Sequence, residues 1–335
     1  MKRLLPLFPP DVKILLVDDS LMDDMELICQ NFPNVQIIRR KGASGLVSAI
    51  IEGMKKAVKD GAEYIVTMDG DGQHDPSSVK RLLEYAQQGH YDLVIGSRYV
   101  NGGGVDGFGM FRKGVSKVAN YLFRISFDVG INDSTSGFRV YSRRAAEYLV
   151  RESINGSSYS GQVEIVAKLY RKGMNITEFP IQFGKRLSGR SKLGLSAIMG
   201  YFLYIFINGD MWKYIVVGTS GVIINELFLF LLAPKIWFPV ADIIAIEVSI
   251  ITNFMFNERW TFWRRKLDHG LRRTVTRFYL HNASSVLGLS VNFIVFIGLA
   301  LLGSNLLLAN LVGIVVAFSI RYLMSSQVIW VDGHR

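Results

Sequence analysis

The chain has 335 residues, half of them hydrophobic, a formal net charge of +10 and one cysteine. A lone Cys29 excludes an internal disulfide and any cysteine-built metal cage, and it fits a reducing compartment. The length predicts about two domains, and the apolar residues divide them: short runs between charges up to about Lys192, long runs beyond Trp212. We therefore expect a soluble domain at 1–192, an interfacial helical region at 193–210 and a membrane domain at 211–335.

The opening "MKRLLPLFPPDV" is basic, but its apolar part is short and broken by prolines, which argues against a signal peptide. "KILLV" (Lys13 to Val17) then reads as a strand, "SGLVSAIIEGMKKAVKDG" as a helix and "YIVTM" as a second strand. A helix opens at Pro76 and Ser77, and "YDLVIG" (Tyr91 to Gly96) is a third strand. Strands alternating with helices over short connections predict an α/β fold, a mostly parallel sheet with helices on both faces. Ligands of such sheets bind beyond the carboxyl ends of the strands. Asp18 and Asp19 end the first strand, Asp69 and Asp71 the second, and Arg98 follows the third.

The stretch "MDGDGQHDP" therefore sets two carboxylates on a turn at a strand end. Hard oxygen donors in that pattern suit Mg or Mn, which keep coordination positions open to water and substrate phosphates. The pattern predicts a diphosphate ligand. Gln73 adds a carbonyl oxygen, with His74 and Asp75 around it. A D-x-D pair is common in solvated turns, so its place after a buried strand is what distinguishes it.

A second set is cationic. Arg98 is followed by a glycine-rich loop from Gly102 to Gly109, and then Arg112, Ser116 and Asn120 recur at steps of four, which puts them on one helix face. Guanidinium groups beside a hydroxyl make a receptor for phosphate oxygens. In "STSGFRVYSRRA" and "GKRLSGRSKLG", Arg139, Arg186, Arg190 and Lys192 are candidates for a leaving diphosphate or anionic lipid heads. Glu164, among apolar residues of a helix, is read either as structural or as orienting the substrate.

"KLGLSAIMGYFLYIFINGD" is apolar and aromatic but short for a span, and it reads as an interfacial helix or an ordinary core helix. Four long runs follow, roughly Tyr214 to Pro234, Val240 to Phe262, Phe278 to Leu302 and Leu306 to Trp330, each near the ~20 residues that cross a bilayer. The loop "ERWTFWRRKLDHGLRRTVTR" is rich in Arg and Lys, whereas "APKIWFP" and "LGSNL" carry almost none. The positive-inside rule places that loop, the soluble domain and the carboxyl terminus in the cytoplasm. Because the basic excess lies beside spans, the bilayer surface explains it and no nucleic-acid partner is expected. Within the spans, Glu226 or Glu247 is expected to pair with Arg321, or these groups with Asn225, Asn253 and Asn292 line a lipid head-group path.

"VDDS", "MDGDGQHDP", "GSRY", the Arg112-Ser116-Asn120 series, "SGFRVYSR" and "KRLSGRSKL" occur in an order that resembles the polyprenyl-phosphate glycosyltransferases of the dolichol-phosphate mannose synthase type. "NERWTFW" and the four-span layout resemble the GtrA-like membrane domain. The resemblance implies a GT-A fold that transfers a sugar, with inversion, to dolichyl or polyprenyl phosphate. Carried over to this chain, it implies a metal held by Asp69, Asp71 and Gln73, and Asp19 near the nucleoside. It also implies Arg98, Arg112 and Ser116 on the acceptor phosphate, with Arg139 beside them, and Arg186 on the donor diphosphate; Asp71, Arg98 and Arg112 would carry catalysis. GDP-mannose is the expected donor, with UDP-glucose the alternative; a catalytically impaired, lipid-phosphate-binding or flippase-like protein is the other reading. Relative to the family pattern, a first strand with its nucleotide loop is expected to be missing before "KILLVDDS".

Overall fold

The structure, a computed structural model, describes residues 3–19, 24–40, 45–106, 109–156, 158–184, 194–265 and 270–331. The chain forms two compact units, Met1–Arg124 with Val129–Ile205, and Ile125–Asp128 with Phe206–Arg335.

In the first unit the order is β1 (Ile14–Asp18), α1 (Asp24–Cys29), β2 (Val35–Arg39), α2 (Leu46–Lys59), β3 (Tyr64–Thr67), α3 (Ser78–Gln88), β4 (Leu93–Ser97) and β5 (Gly104–Val105). There follow α4 (Met110–Phe127), β6 (Arg139–Ser142), α5 (Arg143–Arg151), α6 (Ser158–Arg171), β7 (Ile176–Pro180), β8 (Gln182–Phe183) and α7 (Leu195–Asn208). All five residues of β4 are buried, as its unbroken apolar run requires of a strand covered on both faces. On α3, Val79, Leu82 and Ala86 recur at helical spacing and pack against Val94, Phe138, Val140 and Ile181. Complete burial of a leucine such as Leu82 stabilises the fold by about 1.5–3 kcal/mol.

The α/β class holds, but the sheet is mixed rather than mostly parallel. β1 pairs with β2 in parallel, while the four-stranded sheet runs β3-β6-β4-β7, with β6 antiparallel to both neighbours and β7 parallel to β4. The inserted strand is "RVYS", whose leading arginine disguises a buried strand in the sequence. Its register places Arg139 opposite Thr67 on one side and Ile95 on the other. The carboxyl ends of β3 and β4 and the start of β6 therefore share one sheet edge.

The second unit holds α8 (Met211–Leu232), α9 (Phe238–Phe256), α10 (Leu271–Leu301) and α11 (Leu306–Met324), with π-helical turns at Asn257–Thr261 and Ser325–Ile329 extending α9 and α11. Among the described residues, four helical segments of 22 to 31 residues are long and apolar enough to cross a bilayer. Even the shortest reaches about 33 Å, beyond a hydrocarbon core of ~30 Å. Large side chains such as Phe230 at 77%, Leu289 at 72% and Leu307 at 82% are exposed, which an aqueous surface would penalise and lipid does not. α10 begins before the expected Phe278, so the basic "LRRTVTR" is helical. The reason is an anchor: Arg277 is buried and ion-paired with Glu258, whose carboxylate also accepts from Trp330 Nε1 at 2.7 Å.

The expected pairing of Glu226 or Glu247 with Arg321 does not form. Both glutamates are exposed on α8 and α9, which pack on each other, while Arg321 lies between α10 and α11 and donates to Ser285 Oγ at 2.9 Å.

Candidate active site

The apolar run of β3 stops at Asp69, where Asp and Gly disfavour further pleating. The loop is then held by its own polar groups. Gln73 N–H donates to Asp71 Oδ1 at 3.0 Å, Gln73 Nε2 donates to Gly184 O at 3.2 Å, and Gly184 N–H returns to Gln73 O at 2.8 Å. Asp75 closes a turn into α3, accepting from Ser77 N–H at 3.0 Å and Ser77 Oγ at 2.6 Å, so it shapes the loop exit. Asp69 packs closely on Gly137: a Cβ there would lie 3.2 Å from its Oδ2, and one of the two would have to shift by a few tenths of an ångström. Thr67 Oγ1 donates to Gly137 O at 3.0 Å and ties the two segments together.

Behind the carboxylates, His74 is buried between Phe138 and Phe183, with ring centroids 5.1 and 4.9 Å away. Burial, aided by the nearby Arg98 cation, lowers its pKa to about 3, so it is a neutral imidazole; its Nε2 lies 4.0 Å from Asp69 Oδ2.

Asp69, Asp71 and Gln73 supply two carboxylates and a carboxamide. Among the described residues no group of three His, Cys, Asp or Glu converges into a closed metal cage. This all-oxygen, partial donor set fits a hard divalent cation that fills its remaining positions with water or phosphate oxygens.

Arg98, just past β4, lies at the same sheet edge. Its Nε and Nη2 donate to the Asp133 carboxylate at 2.7 Å each, its N–H to Asp133 Oδ2 at 2.9 Å, and Nη2 also to Thr135 Oγ1 at 2.8 Å. Both side chains are buried, so this bidentate pair sets the frame of the site. Asp133 belongs to a hub that the sequence reading missed. Glu178 of β7 accepts from the Asn132 and Asp133 N–H groups at 2.8 and 2.9 Å, and burial raises its pKa. Asn120 Oδ1 accepts from Ser134 N–H at 2.9 Å and Ser134 Oγ at 2.7 Å.

Arg139 was expected beside the acceptor phosphate, but it is fully buried. Its donors are taken by the carbonyls of Ser136 at 2.7 Å, Ser134 at 2.7 Å and Gln162 at 3.0 Å. It positions the 134–136 loop from within. Glu164 is likewise structural, accepting from the Asn155 and Gly156 N–H groups at 3.1 and 2.7 Å.

Arg112, Ser116 and Asn120 all lie on α4, as their spacing predicted. Arg112 and Ser116 are half-buried. Ser116 Oγ accepts from Tyr99 OH at 2.8 Å, which links α4 to the segment after β4, and within α4 the Ser116 carbonyl accepts from Asn120 Nδ2 at 3.0 Å. A cleft of about 460 Å³ beside this helix is lined by Arg98, Tyr99, Lys117, Asn120, Tyr121 and Arg124, among others. Lys117 and Arg124 make it basic, and the sequence reading had not singled them out.

Asp19, just beyond β1, is gripped by Arg40: Nε donates to Oδ1 at 2.7 Å and Nη2 to Oδ2 at 2.5 Å, while Nη1 donates to Ser48 Oγ at 2.8 Å. Arg40 is buried and Asp19 stays one-third exposed. The "RRKG" run after β2 was the available signal for it. Arg186, Arg190 and Lys192 lie outside the described residues.

Residues 1–150 match the family model described as glycosyl transferase family 2, and residues 213–330 match the GtrA/DPMS transmembrane domain. The dolichol-phosphate mannosyltransferase of Pyrococcus furiosus is 35% identical over 335 residues, covering 95% of this chain and 90% of that protein. The polyprenol monophosphomannose synthase of Mycolicibacterium smegmatis is 35% identical over 194 residues, covering 56% of this chain and 73% of that one. Among solved structures, glucosyl-3-phosphoglycerate synthase from Mycobacterium tuberculosis in complex with phosphoglyceric acid matches with a TM-score of 0.48 and 13% identity, over 63% of this chain and 75% of that one.

Proposed function

The chain belongs to the family 2 polyprenyl-phosphate glycosyltransferases that carry a GtrA/DPMS transmembrane domain, and we propose that it transfers mannose from GDP-mannose to a dolichyl or polyprenyl phosphate, with inversion. The observation that carries this reading is the 35% identity to a dolichol-phosphate mannosyltransferase along 95% of the chain. The convergence of the Asp69–Gln73 loop and Arg98 at one sheet edge supports it.

The acceptor needs no general base. A phosphate monoester has a second pKa of about 6 and is largely dianionic near neutrality, so its oxygen attacks the anomeric carbon directly while the nucleoside diphosphate departs. The task of the protein is alignment and charge stabilisation. Arg112 and Ser116 bind the acceptor phosphate, and Arg98, expected to join them, is paired with Asp133 and frames the site. Asp19, oriented by Arg40, meets the nucleoside, and Arg186 contacts the donor diphosphate. Asp69, Asp71 and Gln73 would hold Mg or Mn, which, when bound, neutralises charge on the diphosphate.

The second unit makes the chain an integral membrane protein. Its basic 258–277 segment and its carboxyl terminus lie on the cytoplasmic side with the catalytic unit. In a Cys29→Ser background, single cysteines at positions 268 and 304 test this: an impermeant maleimide added to intact cells must label only position 304.

The deciding assay compares GDP-mannose and UDP-glucose as donors to a polyprenyl phosphate in detergent, with Mn, Mg or chelator. Labelled lipid from GDP-mannose alone, lost on chelation, is the expected result. Transfer from UDP-glucose alone replaces the donor assignment, and chelator-insensitive transfer removes the metal from it.

A further inference from the structure

We propose that α10 and α11 form a second lipid-phosphate site inside the membrane unit, gripped by the Arg321 guanidinium and the Ser285 hydroxyl. Arg321 lies 15 residues past Leu306 in a helical segment that ends at Ile329. That is about 22 Å along it and ~12 Å from its far end. A charge within a span, here in the last turn of α11, is costly unless it is paired or reaches the interface, so it needs compensation.

The chain itself supplies little. Of five guanidinium N–H donors, one is matched by Ser285 Oγ at 2.9 Å, Nε is buried without a partner, and no described carboxylate reaches Arg321. Two buried arginines among the described residues of this unit are treated differently. Arg265 meets Asp210 at 3.2 Å and Arg277 meets Glu258.

The surroundings of Arg321 are built to receive it. A Cβ at Gly288 would collide with Arg321 Cγ and Cδ, so α10 is hollowed where this side chain crosses it. Along the same face of α10, at steps of four, three and four, lie His281, Ser285, Gly288 and Asn292. His281 is buried at 1% exposure with neither ring nitrogen hydrogen-bonded, and Asn292 Oδ1 also lacks a partner. The stripe is about 16 Å long.

Water would satisfy the neutral groups of this stripe but leaves the charge of Arg321 unbalanced. An anion does both. Arg321 is only half-buried, and the anion a bilayer delivers to a span is a lipid phosphate. A phosphomonoester, with three unblocked oxygens, suits the planar donor fork better than a choline diester. This inference is independent of the sugar and donor proposed above.

The test is native mass spectrometry of the full chain in detergent, with dioleoyl phosphatidate, dioleoyl phosphatidylcholine or inorganic phosphate added. Wild type is expected to retain phosphatidate over phosphatidylcholine, and millimolar inorganic phosphate must not displace it. Arg321→Gln should weaken retention of one bound phosphatidate about tenfold or more and Arg321→Lys less, whereas Arg112→Gln, in the acceptor site proposed above, should leave that one in place. Equal retention by Arg321→Gln and wild type, at an unchanged unfolding temperature, overturns the site. So does loss confined to Arg112→Gln, which moves the binding to the soluble unit. Displacement by inorganic phosphate overturns the lipid as its ligand. If Arg321→Gln does not fold, Ser285→Ala decides: about threefold weaker retention upholds the site, and unchanged retention removes it.

Discussion

Both units match buried arginines in place, Arg265 with Asp210 and Arg277 with Glu258 in the second, but only the second holds an arginine, Arg321, left largely unmatched among the described residues. In the first, Arg98 is paired with Asp133, Arg40 with Asp19, and the donors of Arg139 are taken by three backbone carbonyls. In the second, Arg321 meets one hydroxyl. A buried guanidinium with its donors matched in place is a strut, because leaving it unmatched would cost several kcal/mol. One held within a span with its donors largely unmatched points to a partner from outside the chain. A basic residue near a site is therefore assigned by what already occupies its donors, and motif position alone does not show that Arg139 is a strut.

The sharpest way to break this comparison is to remove the match. Asp133→Ala leaves the Arg98 charge buried and unpaired and should destabilise the first unit by about 3–5 kcal/mol, read as a lower unfolding temperature. A stability within 1 kcal/mol of wild type would show that Arg98 is solvated and is no strut. Asp71→Ala should leave the unfolding temperature nearly unchanged while transfer falls about a hundredfold or more. If fold and activity fall together instead, Asp71 belongs with the struts.

Arg112→Ala tests the half-buried arginine. The KM for polyprenyl phosphate should rise about tenfold, and the KM for the donor should stay put. An effect on the donor alone would move Arg112 to the other substrate. Gly137→Ala has the smallest expected effect. Its Cβ would press on the Asp69 carboxylate at 3.2 Å, which should slow transfer a few-fold, about 1 kcal/mol, with little change in stability. A larger loss of stability than of rate would mean that the loop moves in place of the carboxylate.

Much of this protein was legible before folding. Four apolar runs of spanning length announced the four membrane helices, because lipid imposes length and composition directly on the chain. The "YIVTMDGDGQH" run announced a strand emptying into an oxygen-rich loop, and steps of four placed Arg112, Ser116 and Asn120 on one helix. These are local properties, carried by neighbours in sequence.

The tertiary structure decided everything that depends on residues far apart in the chain. Nothing near Arg98 foretold that Asp133, 35 residues away, takes its charge. Likewise, nothing in "GFRVYS" foretold that a strand beginning with Arg139 inserts antiparallel between β3 and β4. The same holds in the membrane: hydropathy located the span that carries Arg321, but only the packing of α11 on α10 showed that its neighbour is Ser285 rather than Glu226 or Glu247. Pattern reveals which face a residue is on; pairing requires knowing what the fold brings opposite it.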